Sequence, residues 1–139
     1  METETFVIDD GLKKYEFKNA IGEVFGTLIF NPSDTSILER YEAVVDEINA
    51  MRKDATNAKG TEKMIEASRA FKNGLQKILN RDIEADLFSV YSPVTLMGEG
   101  DFYGEILLDK IGNAIEKETG KRVDKKLKKI ERYTKKYSN

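Results

Sequence analysis

The spacing of apolar positions changes once along this chain, near residue 31, and divides it into two kinds of structure. Before that point the pattern is that of strands. Thr3, Phe6 and Ile8 precede Asp9-Asp10-Gly11, and Leu12, Tyr15 and Phe17 follow it. An acidic turn with a glycine to take positive φ, flanked by apolar alternation, predicts a β-hairpin. Val24-Phe25-Gly26-Thr27-Leu28-Ile29-Phe30 is β-branched and aromatic and predicts a further strand. The expected result is a three-stranded antiparallel meander, the smallest sheet that is stable with one face covered.

After Asn31-Pro32-Ser33-Asp34 the period becomes helical. Asn31 as N-cap with Pro32 at the first helical position is one predicted start, and Ser36-Ile37-Leu38-Glu39 offers a capping box as another. Ile37, Leu38, Tyr41, Val44, Val45, Ile48 and Met51 then recur every three or four residues, which predicts an amphipathic helix. Residues 54–60 break it. A second helix carries Met64, Ile65, Ser68, Phe71, Leu75, Ile78 and Leu79 on one face, with Gly74 inside it. Ile83, Leu87 and Phe88 predict a short extra helix. A last helix, with Phe102, Ile106, Leu107, Ile111 and Ile115, is expected to end near Gly120. Strands followed by helices argue an α+β domain over residues 1–116, with three to four amphipathic helices packed on one sheet face.

Charge adds a second division. Residues 1–116 hold 13 Lys and Arg against 22 Asp and Glu, a balance of −9, whereas residues 117–139 hold 10 against 3, a balance of +7. We therefore read residues 117–139 as a basic C-terminal tail, helical or frayed, on an acidic body. The tail offers Lys125, Lys128, Lys129 and Arg132 to an acidic partner or to the acidic body of a neighbouring subunit. Nucleic acid is the less favoured partner, because a domain of pI about 5.4 lacks an extended basic face.

Composition narrows the chemistry. With no cysteine there is no disulfide, zinc-thiolate site or thiol nucleophile. With no histidine there is no histidine-based triad or imidazole proton shuttle, so the expectation is a non-enzyme without metal or cofactor. Asp82-x-Glu84-x-Asp86 has the opening rhythm of a calcium loop. It then places Leu87 where the turn needs glycine and Pro93 where a bidentate glutamate belongs. Gly98-Glu99-Gly100-Asp101 lacks the spacing and the lysine of a phosphate loop, and its carboxylates would repel phosphate. No secretory signal or membrane span is legible, so a cytoplasmic location is expected.

The order and spacing of these segments over most of residues 3–116 resemble the tail assembly chaperones of long-tailed bacteriophages and prophages of Gram-positive bacteria. The matching stretches are Phe6 to Phe30, Asn31-Pro32-Ser33-Asp34 and Asp82-Ile83-Glu84-Ala85-Asp86-Leu87-Phe88. Gly98-Glu99-Gly100-Asp101-Phe102-Tyr103 then leads into Ile106-Leu107-Leu108. The resemblance implies a homo-oligomeric, non-catalytic protein that binds and solubilises a tape measure protein and helps recruit tail-tube subunits. It also implies a short form of a product that is also made longer by frameshifting. Expected partner contacts are Phe102 and Tyr103 as exposed anchors. The stripe Ile37, Tyr41, Val44 and Ile48 is a further candidate, although a core role competes for it. A structural virion or tail-completion protein, and a nucleic-acid-binding regulator that uses the tail, are the alternatives.

Overall fold

The structure, a computed structural model, describes residues 1–54 and 60–137, and the side chains of residues 1–51 and 60–120. It is an α+β arrangement: strands β1 (Lys13–Lys18) and β2 (Val24–Phe30), then helices α1 (Thr35–Asp54), α2 (Gly60–Leu79), α3 (Glu84–Leu87) and α4 (Tyr103–Tyr137).

The strands pair antiparallel, from Lys13 opposite Phe30 to Phe17 opposite Gly26. Lys18 faces Val24, so Phe25 has no partner and forms a bulge. Bulges re-aim side chains. Here the bulge lets Phe25 meet Tyr91 and Tyr103 edge-on, at centroid distances of 5.2 and 5.6 Å. The connecting loop closes on Asn19, whose Oδ1 accepts from the amides of Ile21 and Glu23.

The expected third strand is absent among the described residues. Its turn chemistry is present: Gly11 has φ 81°, and the Asp9 and Asp10 carboxylates accept from the amides of Gly11 and Leu12. Thr3–Ile8 nevertheless stays unpaired and fully exposed. Strand register is set by burial of one face, and Phe6 and Ile8 have no helix beneath them to bury against.

Helix α1 begins one turn later than Pro32 suggests. Asp34 is the cap, with Oδ1 accepting from the Ser36 amide at 3.0 Å and the Ser36 hydroxyl at 2.7 Å. Asn31 instead closes a turn onto Ser33. At the other end of the helical layer, Asn80 takes φ 52° to finish α2. The Ile78 carbonyl, left over at that end, accepts from Arg40 Nε of α1 at 3.0 Å.

One apolar core joins all elements: Leu28 and Phe30 from β2, Val44 from α1, Phe71, Leu75 and Ile78 from α2, Leu87 from α3, and Leu107, Ile111 and Ile115 from α4. Close approach of α1 to α2 depends on Gly74, where an added Cβ would stand 2.6 Å from Val44 Cγ1. The glycine that weakens the helix in the sequence is therefore the point of contact.

Helix α4 does not stop near Gly120 but continues to Tyr137. Its 35 residues correspond to roughly 50 Å. A helical glycine costs about 1 kcal/mol relative to alanine, and the Lys- and Glu-rich flanks are good helix formers that outweigh it. Lys13 and Glu118 pair at 2.5 Å and tie β1 to α4 just before that point. Among the described residues no helix is long and apolar enough to cross a membrane.

Candidate functional site

A groove of about 950 Å³ lies between the end of α1, the first half of α2 and the start of α4. Helices α1 and α2 touch tightly at Val44 and Gly74. Ile48 and Phe71 form the floor, Met51 and Met64 the walls, and Phe102 closes one end. Lys63, Glu66 and Glu105 add charge at the rim.

Methionine suits such a surface, since its unbranched thioether adapts to irregular apolar shapes. Met51, Met64 and Ile65 are exposed, whereas the later residues of the same α2 stripe are buried. The α2 stripe is thus used in two ways: its second half makes the core, and its first half stays exposed among the described residues.

The loop before α4 that brings Phe102 to the groove is closed by backbone hydrogen bonds of its own. Leu96 bridges Phe102, the Met97 amide donates to Asp101 O at 2.9 Å, and Gly100 turns the chain with φ 96°. The amides of Tyr103 and Gly104 are taken by the carbonyls of Thr95 and Pro93. The glycine segment Gly98–Gly100 is therefore a satisfied turn.

Tyr103 is not the exposed anchor expected. It is 1% exposed and sits under β2. Its hydroxyl donates to the Leu87 carbonyl at 2.8 Å, and burial pushes its pKa up to about 12. Phe102 bridges Leu96 just before α4 and turns to the groove, whereas Tyr103, the first residue of α4, enters the core. The stripe on α1 divides in a similar way. Ile37 and Val44 belong to the core. Tyr41 is half-buried against the backbone of Gly112, its pKa raised by burial and by Asp109. Ile48 lies both at the core edge and on the groove floor. Among the expected contacts, then, the fold brings together Ile48 and Phe102 and separates the rest. Lys125, Lys128, Lys129 and Arg132 lie outside the residues whose side chains are described.

Met51 and Met64 were not singled out as contacts by sequence. The available signal was a pair of methionines at corresponding ends of two antiparallel helices, on stripes that the core cannot fill. The Asp82, Glu84 and Asp86 rhythm has a local cause: Asp82 Oδ1 accepts from the Glu84 amide and opens α3, while Glu84 pairs with Lys72 at 2.9 Å. Among the described residues no group of acidic side chains is arranged to hold a metal ion.

Compared with protein-family models, curated proteins and solved structures, the chain matches none of them.

Proposed function

We propose that this chain is a non-catalytic assembly chaperone of the phage-tail kind, holding amphipathic helices of a tape measure protein in the groove between α1, α2 and α4. The observation that carries the reading is the groove itself. It is largely apolar, floored by Ile48 and Phe71 and walled by two methionines and Phe102. Helix-in-groove recognition requires such a surface, and adaptable methionine walls suit a client that presents many similar helical segments. The resemblance to phage tail assembly chaperones is what points to a tape measure protein as that client.

The acidic balance of residues 1–116 fits a holding role, because net charge keeps a complex with an apolar client dispersed. Co-expression with the matching tape measure protein tests the proposal. A raised soluble yield and co-purification of the pair are expected; unchanged yield with no co-purification overturns it. Mass spectrometry of finished particles separates a chaperone, which leaves, from a structural tail protein, which stays.

A further inference from the structure

The segment before β1 and the outer edge of β1 are each incomplete, and in complementary ways. Phe6, Val7 and Ile8 are 82%, 97% and 80% exposed, three consecutive apolar residues that none of the described residues covers. A soluble surface rarely leaves such a run uncovered without a partner. The root of this arm is fixed. Asn31 Nδ2 donates to the Asp10 carbonyl beyond the end of β2, and the Asp9 and Asp10 carboxylates are engaged with the next amides. The arm therefore leaves the domain at a set point while Thr3–Ile8 stays clear of its own sheet.

The edge is equally specific. Among the described residues β1 pairs only with β2. The Ile29 carbonyl points away from β1, toward Arg81 Nη1 at 2.9 Å, so Lys14 opposite it is a non-hydrogen-bonded pair. By antiparallel alternation, Lys14 and Glu16 turn their amides and carbonyls outward. An edge of this kind is a template for another strand. The β2 side is covered by Arg81 and α3; the β1 side is the open one.

We propose that the arm Thr3–Ile8 of one copy adds as a third strand to the β1 edge of a second copy. Charge favours this occupant. Residues 2–10, in and around the arm, carry Glu2, Glu4, Asp9 and Asp10 and no lysine or arginine, whereas β1 exposes Lys14 and Lys18 against a single Glu16, with Lys13 paired to Glu118. Side-chain alternation agrees: Phe6 and Ile8 would lie on the face of half-buried Tyr15 and Phe17, with Val7 on the face of Lys14 and Glu16. The meander expected from the sequence is then completed between chains. This inference does not depend on the client reading of the groove.

Two variants separate the parts. Phe6→Asp with Ile8→Asp alters only residues that none of the described residues covers. Glu16→Pro removes an outward amide at a position where an edge strand tolerates proline. Sedimentation of the full chain over a range of concentrations is expected to show self-association that weakens with salt. The double arm variant, and a chain lacking residues 1–10, should run as monomers with unchanged circular dichroism. A labelled peptide of residues 1–12 should bind the shortened chain and lose at least about tenfold in affinity toward its Glu16→Pro form. A full chain that stays monomeric at all concentrations, with its arm folded onto its own sheet, overturns the proposal. So does association that survives loss of the arm, or a peptide that binds the Glu16→Pro form equally well. Met64→Glu, in the groove, should leave self-association unchanged.

Discussion

The Tyr103 hydroxyl donates to the Leu87 carbonyl at 2.8 Å, and on its other side it fills the space that a side chain at Gly26 would need. One phenol at the start of α4 thus fixes the end of α3 against β2. Its oxygen is the polar atom around which Phe25, Phe88 and Tyr91 pack, with ring centroids 5.2 to 6.4 Å apart.

Removing that hydroxyl leaves the Leu87 carbonyl unpaired in an apolar setting. Tyr103→Phe is expected to cost about 1–3 kcal/mol in urea unfolding, with an unchanged m-value. The pH dependence has a definite sign. A phenol whose pKa is about 12 folded and 10.0 unfolded keeps its full contribution below pH 10 and loses it as pH rises through about 12. Two units correspond to at most about 3 kcal/mol. Tyr15 and Tyr41, both raised chiefly by burial, act in the same direction. Stability measured from pH 9 to 12 should fall less steeply in Tyr103→Phe than in the parent chain. Equal slopes would show that the buried phenol is not the group responsible.

Two glycines of α4 should respond in opposite ways to alanine. At Gly104 the new Cβ would meet the Phe71 ring at 2.5 Å, whereas at Gly120 it meets nothing within 4 Å among the described residues. Overpacking predicts a loss of about 1–3 kcal/mol for Gly104→Ala. Gly120→Ala should raise helicity and stabilise α4 by up to about 1 kcal/mol. Thermal melts followed at the helical band distinguish the two. A destabilising Gly120→Ala would mean that the helix does not run through residue 120.

The same glycines show what could be read in advance and what could not. Periodicity alone placed Ile37, Val44 and Ile48 on one face of α1, and Phe71, Leu75 and Ile78 on one face of α2, because a helix that must bury a stripe shows it locally. It could not tell Phe102 from Tyr103, since both are aromatic and adjacent and only the path of the preceding loop decides which turns inward. Nor could it distinguish a glycine that ends a helix from one that lets a neighbour approach. The hairpin signal at Asp9-Asp10-Gly11 was correct as turn chemistry, but strand pairing depends on a covered face that local sequence does not encode. The groove was legible only in part, as a methionine pair left over from two otherwise buried stripes.

Acid should loosen α1 first at its start. Asp34 is held below the ordinary carboxylate range by the hydroxyl and amide of Ser36. A depressed pKa contributes stability that is present above the unfolded value of 3.8 and is lost as pH falls through the folded one. Asp34→Ala removes an N-cap and should cost about 1 kcal/mol at neutral pH, with the difference from the parent shrinking below pH 4. Asp34→Asn, which still caps, should keep most of the stability and lose the pH dependence. Parallel urea titrations at pH 7 and pH 3 check both.

Groove binding is best tested on the walls, not the floor. Ile48→Ala would open a cavity at the core edge and cost about 2–4 kcal/mol, so a loss of binding there could reflect unfolding. Met51 and Met64 are exposed, and their replacement by glutamate should change stability by no more than about 0.5 kcal/mol. A charge placed on either wall must be desolvated when an apolar helix docks, and Met64→Glu is expected to weaken a labelled tape-measure helix peptide by at least about tenfold, or about 1.4 kcal/mol. Fluorescence anisotropy at matched protein concentration gives the comparison. A peptide that binds Met51→Glu and Met64→Glu as well as the parent chain would remove the groove as the client site, whatever the co-expression yield.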